Sequence, residues 1–589
     1  MRVFLLLLTM VQCCLGATYY VDFNSGSDVA AGTSTGTAWK TIPGSRNKDD
    51  TDYQSTVWGP GAGTITISAK VQPGDTIKLK SGTTMTSNIC GLVYITSDYY
   101  SSSATLANPI TIMRDETWGS GTVTIDGNAM VMTIDFSGLF LIEIPGVVVN
   151  GGLDQGRRGI KFMRSYYNGI SGFSLGSPIE GPNVFNCYFE TNGTKYVGPE
   201  GDPAVSDATQ AGIRLRKDYG PALIFNCEIN GGSNYFQGIC AGDSINKPCH
   251  MIVSNCIAYN HSGDNDAGIG MKGFGTNFTF LNCTNYFNYK GWDLGCKQAS
   301  GSVVVYKIIN SRSMSNHNGM NMNGPPHSIH PYPTPPKFYI INSLIHDNPE
   351  AGSRIYHGPM DFHCVGSLYY RNGGSVYGTG QLGITSDNSE PDYADMSPVT
   401  AHVYNTILYK PSSTYCNLFV EEYCPSNYYT LDSDFNSWTQ TASEDAIYWG
   451  SLSSGACYDS SYNIQFSYGA NGPGRVGSGN WFNWYAKDGT PPLIGGTGHF
   501  LCDPNSRGTG AIDTTPPPFV DPSILDFRLT NSFAGTNISG LPWYITEMGY
   551  DANGTNRASW DMGPLESGYV PPLNFPRGTP RLNGIRLKR

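Results

Sequence analysis

The chain has 589 residues, 39% of them hydrophobic and 12% aromatic, but only 14% charged, with a formal net charge of −11. So little charge cannot dress the exposed faces of helical bundles or doubly wound α/β domains, and so much apolar material is foreign to a disordered chain. With 72 glycines and 37 tyrosines, the composition points to a long all-β structure with many turns, and the acidic balance argues against nucleic acid or an anionic membrane as partner.

Residues 1–16 read as a signal peptide. Arg2 supplies a positive start, residues 3–11 an apolar stretch, and Cys14-Leu15-Gly16 a small-residue cleavage site. The protein is therefore expected to be secreted and extracellular. The best later apolar run, 136–150, is broken by Glu143 and Pro145, so no membrane span is predicted. Residues 17–410 carry a repeating strand pattern and the cap that opens it. An irregular Tyr/Ser-rich insertion is expected at 411–515, a C-terminal coil and cap at 516–566, and a basic, proline-rich tail at 567–589. Cys240/Cys249 and Cys416/Cys424 have the spacing of local disulfides. Sequons stand at Asn192, Asn260, Asn277, Asn282, Asn537 and Asn553. A monomer is expected.

The repeat is the most informative feature. Val184-Phe185-Asn186-Cys187, Ile224-Phe225-Asn226-Cys227, Val253-Ser254-Asn255-Cys256 and Phe280-Leu281-Asn282-Cys283 share one pattern, continued around Asn310, Asn342 and Asn405. The Asn-to-Asn steps are 40, 29, 27, 28, 32 and 63 residues, the last wide enough for two turns. A strand repeat of this length with no helical period predicts a single-stranded right-handed parallel β-helix. Coils stacked about 4.8 Å apart would bring equivalent asparagines into register, where buried amides bond along the stack. On that reading Asn282 is buried and escapes glycosylation.

A second series, Gly-φ-x-φ with φ apolar, begins at Gly159, Gly212, Gly238, Gly268, Gly291 and Gly319. Strand alternation turns the x position, and the residue two further on, outward on one sheet. That face is expected to carry Lys161 and Met163, Arg214 and Arg216, Cys240 and Gly242, Gly270 and Lys272, Asp293 and Gly295, and Asn321 and Asn323. Small residues would floor a shallow groove with long cations at its edges, a shape suited to an extended polymer. Other motifs are discounted. Gly268-x-Gly270-x-x-Gly273 lies inside a repeating strand with no following helix. His327 and His330 belong to a proline-rich loop rather than a metal site.

With these features in place, the sequence resembles secreted β-helix proteins of the pectate lyase-like class, and within it the family-nine polysaccharide lyases. The resemblance is carried by Tyr19-Tyr20-Val21-Asp22 with Trp39-Lys40-Thr41-Ile42, by Gln72-Pro73-Gly74-Asp75, and most specifically by Gly291-Trp292-Asp293-Leu294. It implies a calcium held by aspartates and a lysine base on the next coil. Asp293 matches one ligand, and Asp266 stands one residue from another. Tyr289 and Lys290 fall where tandem aspartates are expected, and Asn321 where the base lysine is expected. Calcium is thus a possible cofactor with a degenerate site (Asp266 and Asp293), and no cofactor is firmly implied.

Elimination at a uronic acid requires neutralisation of the C6 carboxylate and a base for the C5 proton. Arginine or lysine can do the first task in place of calcium. Arg214, Lys272, Lys290 and Asp293 are the expected catalytic residues, with Lys272, flanked by other cations, as base. Lys161, Arg216, Asn321 and Asn323 are expected to bind an acidic polysaccharide. A lyase on a uronate-containing glycan is the leading expectation. A non-catalytic glycan-binding or structural β-helix is the second, and a glycoside hydrolase using Asp266 and Asp293 the third.

Overall fold

A computed structural model describes residues 16–45 and, with breaks, 70–450, together with strands at Gly498–Phe500, Phe519–Asp521 and Asp526–Leu529. The signal segment, the basic tail, Asn405, Cys416, Cys424 and the sequons at Asn192, Asn537 and Asn553 lie outside the described residues.

The chain winds through three parallel sheets and forms a right-handed parallel β-helix. Among the described residues, sheet I has 14 strands, from Thr18–Val21 to Gly498–Phe500; sheet II has 12, from Thr84–Met85 to Ser437–Gln440; sheet III has 12, from Val93–Ile95 to Ile447–Gly450. One coil shows the plan. Asn277–Leu281 lies in sheet I, Thr284–Tyr286 in sheet II and Lys290–Gly295 in sheet III. Each pairs in parallel with its equivalent one coil on, at Val305–Ile309, Arg312–Met314 and Asn318–Asn323. The sheets continue past residue 410. Leu418–Glu421, Tyr429–Asp434, Ser437–Gln440 and Ile447–Gly450 all join them, so the first part of the segment expected to be irregular is further coil.

Alternation puts one side of every strand inside. Phe280, Ile308 and Ile340 of sheet I are fully or almost fully buried, as are Met271, Trp292 and Met320 of sheet III. Because the coils stack in register, aromatic residues stack too: Phe162 lies over Phe189 at 5.0 Å, and Tyr306 lies 5.5 Å from Phe278 and 4.7 Å from Phe338. Offset aromatic pairs of this kind add to the burial energy itself.

The repeating asparagines sit between sheets I and II, and the structure corrects what they do. Asn186, Asn226, Asn255, Asn282, Asn310 and Asn342 all adopt the left-handed conformation, with φ between 50° and 55°. Asparagine tolerates that region better than other residues with a Cβ, and it turns the chain sharply from one sheet to the next. At the coil hidden in the 63-residue step, Gly366 takes the same role with φ 60°. Side-chain amides bond along the stack at one end, where Asn226 Nδ2 donates to Asn186 Oδ1 at 2.7 Å and Asn186 Nδ2 to Asn150 Oδ1 at 3.1 Å. Further along, Asn255 and Asn282 are exposed, so burial does not shield the Asn282 sequon.

A buried amide ladder does exist, at the other bend, between sheets II and III. Asn288 N donates to Asn316 Oδ1 at 3.0 Å, Asn316 N to Asn348 Oδ1 at 3.0 Å, Asn348 N to Asn372 Oδ1 at 3.1 Å, and Asn372 N to Gln381 Oε1 at 3.0 Å. Asn316 and Asn348 are wholly buried. Their amide nitrogens donate to main-chain oxygens of the preceding coil, Asn285 O at 3.1 Å and Ser313 O at 3.3 Å. The ladder leaves room only for glycine beside it. A Cβ on Gly291 would stand 2.4 Å from Gly319 O, and one on Gly319 2.2 Å from Gly352 O.

The residue after each left-handed asparagine points inward, and these form a second column. Cys283 N donates to Ser311 Oγ at 3.1 Å, Ser311 N to Ser343 Oγ at 3.3 Å, and Ser343 N to Ser367 Oγ at 3.2 Å. Burial pushes the Cys283 thiol up to about 12, which keeps it a small neutral packing group. The expected Cys240–Cys249 disulfide is not formed: both are buried thiols. Cys240 lies within the sheet III strand Gln237–Ala241, whereas Cys249 opens the sheet I strand Cys249–Ser254. Each is held by its own sheet.

Asn316→Ala should lower stability by about 1–3 kcal/mol, because it strands the Asn288 amide and two further buried groups. Asn282→Gly should cost no more than a few tenths of a kcal/mol, since glycine adopts the same φ freely. Denaturant unfolding of the two variants checks this, and equal losses at both sites would show that the ladder bend carries no special weight.

Candidate functional site

On the outer side of sheet III one residue per coil falls into a single column. The register pairs Leu141 with Ser171, Ser171 with Arg214, Arg214 with Cys240, Cys240 with Lys272, Lys272 with Asp293, Asp293 with Asn321 and Asn321 with Arg354. The flanking residues of each strand, among them Ile213, Ile239, Met271, Trp292, Met320 and Ile355, belong to the core. The column therefore faces the other way. Coil stacking spaces Arg214 and Lys272 by two coils, about 10 Å, and Lys272 and Arg354 by three, about 14 Å.

The column is recessed rather than solvated. Arg214 is 4% exposed, Lys272 5%, Asp293 2% and Asn321 4%. Phe274 contributes part of the cover: Lys272 Nζ stands 4.8 Å from its ring centroid, within cation–π range. Phe274 also lies across Gly295, where a Cβ would meet Phe274 Cε1 at 2.2 Å. Asp293 Oδ1 accepts from Asn323 Nδ2 at 3.1 Å, and Lys290 Nζ stands 3.7 Å from Asp293 Oδ2. Asn321 Oδ1 is buried without a hydrogen-bond partner among the described residues. A buried acceptor left in this state costs free energy until a donor reaches it.

The structure brings together most of the predicted residues and moves some. Arg214, Cys240, Lys272, Asp293 and Asn321 share the column, and Lys290 and Asn323 touch its central carboxylate. Lys272, not Gly270, occupies the column in its coil. Gly270 pairs beside the amide ladder, where a Cβ would lie 2.3 Å from Asn285 Oδ1. The nearest neighbours of Lys272 in register are Cys240 and Asp293, not the cations expected to flank it. Lys161 is elsewhere. Its strand Ile160–Met163 belongs to sheet II, where Lys161 pairs with Glu190 and its Nζ lies 5.5 Å from the Tyr188 ring centroid. The sheet III strand of that coil is Asn168–Gly172, which places Ser171 in the column. Arg216 and Asp266 lie outside the described residues.

Arg354 and Glu350 were missed by the sequence pattern. Ser353 takes the slot where Gly-φ-x-φ expects an apolar residue; it is fully buried and hydrogen-bonded with the Tyr369 hydroxyl at 2.9 Å. Arg354 Nη1 donates to Glu350 Oε1 at 2.8 Å, and Asn318 Nδ2 and His317 Nδ1 reach Glu350 Oε2 at 2.6 and 2.7 Å. The periodicity alone, extended one coil past Asn321, would have found Arg354.

The calcium implied by the resemblance does not suit the described part of this column. Asp293 is its only carboxylate, already engaged by an amide and an ammonium group, with Lys272 next in register. A hard divalent ion needs six to eight oxygens. A hydrolase would need a second carboxylate across the site; the described part of this column supplies none, and Asp266 lies outside the described residues.

No family model matches the chain, and no curated protein matches it. Among solved structures it is similar to a pectate lyase at 14% identity, covering 94% of this chain and 97% of that one with a TM-score of 0.41. It is also similar to a rhamnogalacturonan lyase at 15% identity, covering 68% and 84% with a TM-score of 0.40. The mannuronan C-5 epimerase A-module of Azotobacter vinelandii matches at 11% identity, covering 73% and 90% with a TM-score of 0.32. The functional reading of sheet III therefore rests on its own side chains.

Asp293→Ala should destabilise the fold by about 3 kcal/mol, because Lys290 loses its counter-charge in a recessed site. Asp293→Asn should cost less, because the amide oxygen still accepts from Asn323. Thermal unfolding of the pair checks the ordering, and an Asp293→Ala variant as stable as the wild type would mean the carboxylate balances no cation.

Proposed function

We propose that the outer face of sheet III binds an acidic, uronate-containing polysaccharide outside the cell and cleaves it by β-elimination. The single observation that carries this is the register column, in which Arg214 and Lys272 stand two coils apart with Asp293 and Asn321 beyond them. A polymer laid across the strands passes one coil about every 4.8 Å, so successive sugars meet successive positions of one column. Carboxylates on the chain pair with Arg214, whose planar fork suits them. The Asn321 carboxamide oxygen, lacking a donor among the described residues, accepts from a sugar hydroxyl.

The chemical step needs a neutralised C6 carboxylate and a base at C5. In this reading Arg214 or Lys290 neutralises the carboxylate in place of a metal, stabilising charge that builds toward C6 in the transition state. Lys272 Nζ is the base that takes the C5 proton, electrons shift to form the C4–C5 double bond, and the C4–O bond breaks, the leaving oxygen taking a proton from water as the chain departs. Asp293 holds Lys290 in place. The non-catalytic alternative has one observation in its favour: Asp293 already occupies Lys290, which leaves fewer cations for an incoming chain.

Turnover is read from unsaturated products absorbing near 232–235 nm, roughly the range expected for a conjugated enol-ether carboxylate formed by proton abstraction. Pectate, alginate and glycosaminoglycans serve as the panel. Arg214→Ala should weaken binding of the preferred acidic polymer about tenfold or more while neutral glycans are unaffected. Lys272→Ala should abolish turnover and spare binding. Loss of binding alone in Lys272→Ala, with no turnover by wild type on any polymer, selects the non-catalytic alternative. Unchanged binding in both variants would place the functional face elsewhere.

A further inference from the structure

A second constellation lies on a different sheet and is not used by the reading above. The sheet I strand Met360–Val365 alternates between core and surface: Met360, Phe362 and Cys364 point inward and are buried, while Asp361 and His363 share the outer side. One coil on, Val399–Tyr404 does the same, with Ala401 and Val403 in the core. The register sets His402 directly beside His363. The two imidazoles stack at 4.5 Å between centroids, and Tyr339 of the previous coil stacks on His363 at 4.5 Å. The stack sets both Nε2 atoms beside Asp361 Oδ1, and an ion shared by them requires the rings to tilt out of the stack, because an imidazole lone pair lies in its ring plane.

Two of the separations fall in the range a small divalent ion imposes on adjacent ligands. Asp361 Oδ1 lies 2.9 Å from His363 Nε2 and 3.4 Å from His402 Nε2, and the three ligand atoms all lie within 4.8 Å of one another. Metal bonds of about 2.0–2.1 Å to imidazole nitrogen and carboxylate oxygen separate neighbouring ligand atoms by roughly 2.9 Å at octahedral and 3.4 Å at tetrahedral angles. Both imidazole nitrogens approach Asp361 Oδ1 at ion-pair range.

We propose that Asp361, His363 and His402 form a binding site for a first-row divalent transition ion, zinc being the natural probe. Two imidazoles and one carboxylate are the donor set such ions prefer over calcium or magnesium. Three protein ligands leave a coordination position for water or a further ligand. The side chains are 15–25% exposed, open enough for an ion to enter and for the rings to turn toward it. Lys337 is the opposing charge, its Nζ 3.8 Å from Asp361 Oδ2. At 42% exposure its long side chain can swing into solvent when an ion arrives.

The test uses the full chain without a polyhistidine tag. Calorimetric titration with zinc chloride should show one ion per chain with a Kd on the order of micromolar, and cobalt chloride should give visible absorption bands from a nitrogen-ligated site. His363→Ala and His402→Ala should each weaken zinc at least about tenfold. The isosteric Asp361→Asn should weaken it while leaving the melting temperature of the zinc-free protein within a few degrees. Lys337→Ala should tighten it by removing a like charge. No zinc binding by the wild type, or zinc binding unchanged in both histidine variants, would overturn the proposal and leave the cluster as an ion-paired ring stack. Because these readouts involve no polysaccharide, they stand or fall independently of the sheet III proposal.

Discussion

Everything in this molecule follows from parallel strands stacked in register at about 4.8 Å. Each position of a coil is placed against its equivalent above and below, so chemistry repeats as columns. A column is stable only when its members satisfy one another. Apolar columns do so by packing, and the aromatic stacks through Phe278, Tyr306 and Phe338 show how large side chains fit the spacing. Polar columns must do it by hydrogen bonding, because a β-helix interior offers no water to a stranded amide.

The two bends solve that problem differently. Between sheets I and II the turn is made by a left-handed residue, and the asparagine side chain can be exposed because the main chain does the work. Between sheets II and III the bend is buried, and Asn288, Asn316, Asn348 and Asn372 satisfy it by bonding each to the next. The glycines beside that ladder bring the main chain too close for any side chain. This packing fixes where sheet III starts, and so sets the phase of the outward column that holds Arg214, Lys272 and Asp293.

The same stacking generates both proposed sites. On sheet III it spaces cations along a line, a geometry for a polymer. On sheet I it presses His402 against His363 with Asp361 alongside, a geometry for a point charge. One is linear and recessed, the other compact and partly open. They require different ligands because a column read across many coils samples length, whereas two adjacent coils define a single position.

The sequence by itself determined the architecture, because coil periodicity is written along the chain: the recurrent asparagines set the coil length, and alternation in Gly-Trp-Asp-Leu separated buried Trp292 from outward Asp293. Arg214, Cys240, Lys272, Asp293 and Asn321 were legible for the same reason. Only the tertiary structure decided phase. Two Gly-φ-x segments ten residues apart compete in the coil around residue 160; Phe162 completes the pattern, yet its strand joins sheet II, which carries Lys161 away from the site. Gly270 and Lys272 are both outward by alternation, and inter-coil pairing alone selects Lys272. The exposed asparagines and the buried ladder have the same residue type, and along the first bend itself Asn282 is exposed while Asn342 is buried, so burial is set by packing that residue type does not report. Asp361, His363 and His402 come together only because a 39-residue step closes one coil exposing the same side of the strand. Alternation is a local property of the main chain and can be read along it, whereas register between coils is set by how bends of unequal length pack, and that is a property of the whole stack.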